Sequence, residues 1–140
     1  MHTIRKLYKF EMAHQLADAT TAACYETIHG HSYRVELFLG ATELNDANMV
    51  RDFGSLDRFT TWLMEKFDHA LLIPAVFNEV YKDVLEKHNK KIWFTPENPT
   101  AEWMAKVIFE EACRLLDDRE ALVTGVRVHE TDTGYAEYRP

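Results

Sequence analysis

Two stretches of this chain alternate apolar and polar residues with a period of two, and both carry histidine on their apolar side. In the first, Tyr8, Phe10 and Met12 share one face, Lys9 and Glu11 take the other, and His14 closes the apolar set. In the second, His31 is followed at every other position by Tyr33, Val35, Leu37 and Leu39, with Arg34 and Glu36 turned away. A period of two is the mark of a half-buried strand. The pattern therefore predicts two strands whose buried faces run into histidines.

The helical signals lie further along. Asp52 is placed to cap a helix reaching about Phe67, with Leu56, Phe59, Leu63 and Phe67 at three- and four-residue spacing. Asn98-Pro99-Thr100-Ala101-Glu102 reads as a second helix start with Pro99 near the first turn, and Met104, Ile108, Ala112 and Leu115 as its buried stripe. A third alternating run, Leu122-Thr124-Val126-Val128, leads to Glu130, and a short strand follows the turn at Thr133-Gly134. Between 70 and 97 the pattern is weaker; Val76 to Lys87 suits an extra helix and Lys91 to Thr95 an extended piece. The order strand, strand, helix, helix, strand, strand predicts an α+β fold, a four-stranded antiparallel sheet with two helices on one face. Open sheet edges are commonly closed by another chain, so an oligomer is expected.

Bulk properties exclude several functions. The 140 residues suit one domain, 1–140, without repeats or linkers. A net charge of −7 disfavours nucleic acid as a partner. No apolar run is long enough to span a membrane, and the opening residues do not resemble a signal peptide, so a cytoplasmic location is expected. The two cysteines, Cys24 and Cys113, read as free thiols there.

The most informative tripeptide is His29-Gly30-His31. Residues two apart on a strand point the same way, so two imidazoles can converge on one ion. His14, ending a neighbouring strand, can supply a third nitrogen. Three neutral nitrogens with the fourth position open suit catalytic zinc, and the alternative is three satisfied histidines at a sheet end. His2 and His88 read as solvated surface residues, and His129, on the strand face opposite Glu130, as a satisfied polar side chain.

Cys24 and Glu26 stand shortly before His29, and either can serve as a base; a small buried thiol and a solvated carboxylate are the plain alternatives. Asp68-His69 can act as an oriented imidazole or be an exposed helix end. Glu130, on the inward side of an apolar strand, needs a partner, either a ligand donor pair or an internal ion pair.

Taken in order, Phe10-Glu11-Met12-Ala13-His14, His29-Gly30-His31-Ser32-Tyr33, Met49-Val50-Arg51-Asp52-Phe53-Gly54-Ser55-Leu56, Phe67-Asp68-His69, Asn98-Pro99-Thr100-Ala101-Glu102 and Glu130-Thr131 resemble the 6-pyruvoyl- and 6-carboxytetrahydropterin synthase family. The resemblance implies the tunnelling fold, in which trimers close a barrel and two trimers stack into a homohexamer. It implies one Zn2+ per subunit on His14, His29 and His31, acting as a Lewis acid on the side chain of 7,8-dihydroneopterin triphosphate. Cys24 is then the base, and His69, oriented by Asp68, relays protons at a neighbouring subunit's site. Thr100, Glu102 and Glu130 hold the pterin ring, and triphosphate is eliminated to give a 6-carboxy- or 6-pyruvoyl-tetrahydropterin.

The chain departs from the family pattern in carrying four residues between Cys24 and His29. Its Glu26-Thr27-Ile28-His29-Gly30-His31 also resembles the branch in which glutamate replaces the cysteine and the side chain is cleaved to 6-hydroxymethyl-dihydropterin. The product therefore depends on whether Cys24 or Glu26 is the base. A relative that binds a pterin or purine without turnover is the third alternative.

Overall fold

A computed structural model of the chain describes residues 1–18 and 27–140. The two alternating stretches form long strands, β1 (His2–His14) and β2 (His29–Ala41), paired antiparallel over their whole length. The buried residues are those the alternation selects: Tyr8, Phe10 and Met12 on β1, and Tyr33, Val35, Leu37 and Leu39 on β2.

Asp52 Oδ1 accepts the Gly54 N–H at 2.7 Å and so caps a 3-10 turn (Phe53–Leu56), which runs directly into α1 (Asp57–Phe67). Phe59, Leu63 and Phe67 then face the sheet core at the predicted spacing. Phe67 packs between Phe10 and Trp93, at ring separations of 5.6 and 5.9 Å. Truncating a side chain so enclosed costs about 3–5 kcal/mol.

The segment after α1 adds more than the sequence pattern suggests. Strand β3 (Leu71–Pro74), helix α2 (Glu79–His88) and strand β4 (Ile92–Thr95) follow in turn. Among the described residues the sheet therefore has six strands in the order β4-β3-β1-β2-β5-β6, not four, and it is mixed, because β3 runs parallel to β1 and β4 parallel to β3. Leu71-Leu72-Ile73 is buried throughout, the continuous apolar run of a covered parallel strand, which shows no alternation. Helix α2, capped by Asn78, contributes no buried residue.

Helix α3 (Ala101–Leu116) is capped by Thr100, so Pro99 sits just outside the helix and not in its first turn. Its buried stripe ends on Leu116, not Leu115, which is half-buried. Strands β5 (Leu122–His129) and β6 (Tyr135–Tyr138) complete the sheet. Phe38 pairs with Gly125 but Leu39 with Val123, so Thr124 is the extra residue of a bulge. The slip reverses the faces: Val123 enters the core, and Leu122, predicted inside, is 55% exposed.

On the face away from the core, Glu36 is only 4% exposed. Arg5 and His129 donate to it at 2.8 and 2.6 Å, and Arg127 lies at 3.3 Å. His129 is thus a satisfied polar side chain, bonded to a buried carboxylate. Among the described residues no helix is long and apolar enough to cross a membrane.

Candidate active site

The register of β1 and β2 gathers the three histidines. His14 lies opposite His29 and Met12 opposite His31, so all three imidazoles leave the same face at the ends of adjacent strands. Beyond His14, the Ala13 and Gln15 amides donate to the Ala70 and Leu72 carbonyls, fixing the strand end from its other side. One nitrogen from each ring lies within 4.8 Å of the other two. Two nitrogens on one tetrahedral ion stand about 3.4 Å apart, so movements on the order of 1 Å close the set.

The hydrogen bonds decide whether these residues suit a metal ion. His14 Nδ1 is 2.8 Å from the Pro99 carbonyl, and His29 Nδ1 is 3.0 Å from the Thr27 carbonyl. A carbonyl only accepts, so both Nδ1 atoms carry a proton, and the Nε2 atoms are the positions left to ligate. Those two Nε2 atoms face each other at 3.1 Å. His31 Nε2 is buried and has no hydrogen-bond partner among the described residues. Three convergent lone pairs, two with their second nitrogen already oriented by a carbonyl, are what a bound cation satisfies. Burial drives the His14 pKa down to about 4 against the opposing bond to Pro99, and the neighbouring His29 and His31 lower it further. Burial also lowers that of His31, against the nearby Glu130 carboxylate. His14 is therefore neutral at pH 7, as ligation requires.

Next to this cluster lies the acidic pocket. Glu130 Oε1 is 3.6 Å from His31 Nε2. Glu130 and Glu102 line one cavity of about 260 Å3 with Thr131, Tyr135 and Ala136, between the head of α3 and the β5–β6 turn. Thr100 Oγ1 accepts the Trp103 N–H at 3.2 Å, which caps α3 and leaves its hydroxyl hydrogen free to donate. Beneath the histidines, Tyr33 is 1% exposed with its hydroxyl 3.5 Å from His14 Nδ1. Burial, and then the charge of Glu130, raise its pKa, so it stays a neutral phenol.

Asp68 and His69 are tied to β1 at Glu11. Asp68 Oδ1 accepts the Glu11 N–H at 3.1 Å, the His69 N–H donates to the Glu11 carbonyl at 2.6 Å, and His69 Nδ1 lies 3.0 Å from Asp68 Oδ2. His69 has a φ of 57°, a left-handed conformation that histidine adopts more readily than most residues. Burial pushes the Asp68 carboxyl up, but the bonds from His69 and Glu11 and the charges of His69 and Lys91 together hold it below the usual range. The imidazole is 77% exposed and borders a cavity of about 370 Å3 with Glu11, His31 and Ser32. Cys24 and Glu26 lie outside the described residues. Cys113 is half-buried on α3, and burial pushes its thiol up to about 11, so it is no nucleophile.

Sequence reasoning missed the part of Asn98 and Pro99 in this region. The Pro99 carbonyl orients His14, and Asn98 bonds the backbone of Ala17. A backbone acceptor leaves no signature in residue identity; the Asn-Pro pair before a helix cap was the available clue. Tyr81 was also missed: its hydroxyl donates to Gln15 Oε1 at 2.5 Å, which links α2 to the residue after His14.

Comparison with known proteins agrees with this geometry. The family described as 6-pyruvoyl tetrahydropterin synthase matches residues 3–140. The chain is 33% identical over 141 residues to 6-carboxy-5,6,7,8-tetrahydropterin synthase of Helicobacter pylori, covering 96% of this chain and 70% of that protein. It is 30% identical over 146 residues to the same-named protein of Haemophilus influenzae, covering 99% of each. In structure it resembles Caenorhabditis elegans 6-pyruvoyl tetrahydropterin synthase with a TM-score of 0.75 at 21% identity, over 99% of this chain and 95% of that one. The fold is therefore the tunnelling fold, and the chain belongs to the 6-pyruvoyl tetrahydropterin synthase family.

Proposed function

We propose that this chain is a zinc-dependent pterin synthase that converts 7,8-dihydroneopterin triphosphate and water to 6-carboxytetrahydropterin, with loss of triphosphate and of the two outer side-chain carbons as a two-carbon aldehyde. The observation that carries the proposal is the set of three convergent imidazole nitrogens beside a cavity lined by Glu102 and Glu130. The product follows the two curated relatives, both of which are 6-carboxytetrahydropterin synthases.

His14, His29 and His31 would hold zinc, which supplies Lewis acidity toward the hydroxyl groups of the substrate side chain. Glu130 accepts paired hydrogen bonds from the amino group and ring N–H of the pterin, a planar donor pair that a carboxylate matches. Its position 3.6 Å from His31 sets the ring's side chain toward the histidines. Cys24 removes a carbon-bound proton, and His69, held by Asp68, passes protons through its exposed Nε2. Among the described residues, β1 has no strand partner on its second edge from His2 to Phe10, before Asp68 and His69 take up Glu11, which suits addition of another copy's strand. We assign the assembly as a homohexamer of two trimers and the cell compartment as the cytoplasm.

The test is incubation of the zinc-loaded protein with 7,8-dihydroneopterin triphosphate and identification of the pterin by mass spectrometry. A 6-carboxytetrahydropterin product that disappears in Cys24→Ala supports the assignment. A 6-hydroxymethyl-dihydropterin product that persists in Cys24→Ala and disappears in Glu26→Gln transfers the base role to Glu26. No turnover with zinc bound refutes catalysis on this substrate.

A further inference from the structure

The chain that leaves β1 toward Cys24 is held at one more point. The Ala17 N–H donates to Asn98 Oδ1 at 2.7 Å, and the Ala17 carbonyl accepts from Asn98 Nδ2 at 2.6 Å. One carboxamide thus takes both backbone groups of one residue, as a neighbouring strand would. The next residue, Pro99, accepts the His14 Nδ1–H at 2.8 Å, and the one after that, Thr100, caps α3. Proline fixes its own φ and restricts the residue before it to extended conformations. The head of α3 therefore grips the His14 ring and the Ala17 backbone from a single stiff point. Immediately after Ala17 the chain turns through Asp18 at a φ of 55°.

We propose that Asn98 is a positioning residue for the reaction. Its carboxamide fixes, relative to the His14 ring, the point at which the chain departs toward the catalytic base. The proposal rests on the pterin synthase assignment above with Cys24 as that base. A purely structural Asn98 would alter stability but leave the turnover of folded, metal-loaded molecules unchanged. A positioning Asn98 separates kcat from both metal content and KM, because its bonds go to the chain bearing the base and not to the pocket at Glu102 and Glu130. A misplacement of about 1 Å costs on the order of 100-fold in rate.

The experiment compares wild type and Asn98→Ala for kcat, KM on 7,8-dihydroneopterin triphosphate and zinc per chain, with hydrogen exchange of the Ala17 amide followed in the wild-type protein. The expected result is a kcat lower by about 10- to 100-fold, a KM within about threefold and zinc at wild-type stoichiometry. The Ala17 amide is expected to exchange slowly, like the amides of β1. A metal-loaded Asn98→Ala with kcat within about twofold of wild type overturns the proposal, as does a loss that tracks loss of zinc. Should Asn98→Ala not fold, an Ala17 amide that exchanges as fast as an unstructured one overturns it on wild-type protein alone. A wild-type chain inactive on this substrate overturns the functional assignment separately, and the exchange measurement still judges the clamp.

Discussion

Replacing Glu36 with glutamine tests the charge cluster on the sheet face away from the core, and its cost can be worked from the contacts. Glu36 Oε2 receives Arg5, whose side chain is 55% exposed, so that pair contributes at most about 0.5 kcal/mol. Oε1 receives His129 and Arg127, whose side chains are only 17% and 27% exposed. Exchanging those two charge-assisted contacts for neutral ones removes about 1 kcal/mol each. Arg127 keeps Glu137 at 2.7 Å, so no buried cation is stranded, and the larger cost of breaking an isolated buried pair does not apply. The sum is roughly 2–2.5 kcal/mol at pH 7, or about 6–8 °C in melting temperature for a chain of this size.

The difference must also depend on pH with a definite sign. Burial pushes the Glu36 carboxyl up, but the bonds from His129 and Arg5 and the charge of Arg127 hold it below its ordinary value of 4.5. A depressed carboxylate contributes stability that is fully present above the unfolded value and is lost as pH falls through the folded one. Urea titrations of wild type and Glu36→Gln at pH 7 and near pH 3 are therefore expected to show a gap that narrows in acid, with equal slopes against denaturant. A gap under about 0.5 kcal/mol at pH 7, or one that widens in acid, refutes the reasoning. Because His129 immediately precedes Glu130, the same variant is expected to raise KM more than it lowers kcat.

Further outcomes follow from the site and the sheet. Removing metal with a chelator is expected to lower the melting temperature by about 5–10 °C when free zinc had stood near 100 times its dissociation constant, and calorimetry with readdition of zinc checks this. Cys24→Ala is expected to lower kcat by at least about 100-fold with zinc retained, measured by steady-state turnover and metal analysis. Glu130→Gln replaces the acceptor pair that the pterin requires and is expected to raise KM at least about tenfold, read in the same assay. The bulge at Thr124 predicts opposite outcomes for neighbours: Val123→Asn costs about 2 kcal/mol or more, while Leu122→Asn stays within about 0.5 kcal/mol in urea unfolding.

Much of this was legible in the sequence because two physical periods carried it. Alternation in β1 and β2 assigned each residue a face, and since His14, His29 and His31 all belong to the apolar set, their convergence needed only antiparallel pairing. The three- and four-residue spacing of Phe59, Leu63 and Phe67 gave α1 in the same way. Legibility failed where no period exists. Leu71-Leu72-Ile73 is covered on both sides and so does not alternate, which hid β3 and the parallel half of the sheet. One extra residue at Thr124 reversed the faces of Leu122 and Val123 without any change in composition. Glu36 is buried by arginines and a histidine from other strands, and nothing in its own neighbourhood announces them. At the site, Glu102 and Glu130 line one cavity, whereas the Pro99 carbonyl and the Asn98 clamp depend on contacts between distant segments.

The strand register that sets His14 opposite His29 has a consequence for how such a protein can diversify. The three imidazoles are gathered by the ladder between β1 and β2, on either side of residues 15–28, and among the described residues of that connection Thr27 orients His29 through its carbonyl. Changes of length or of residue elsewhere in the connection therefore leave that ladder standing. Under the proposed function, a lineage built on this sheet is free to try a thiol, a carboxylate or both against the same histidines, and new products can arise by editing one connection.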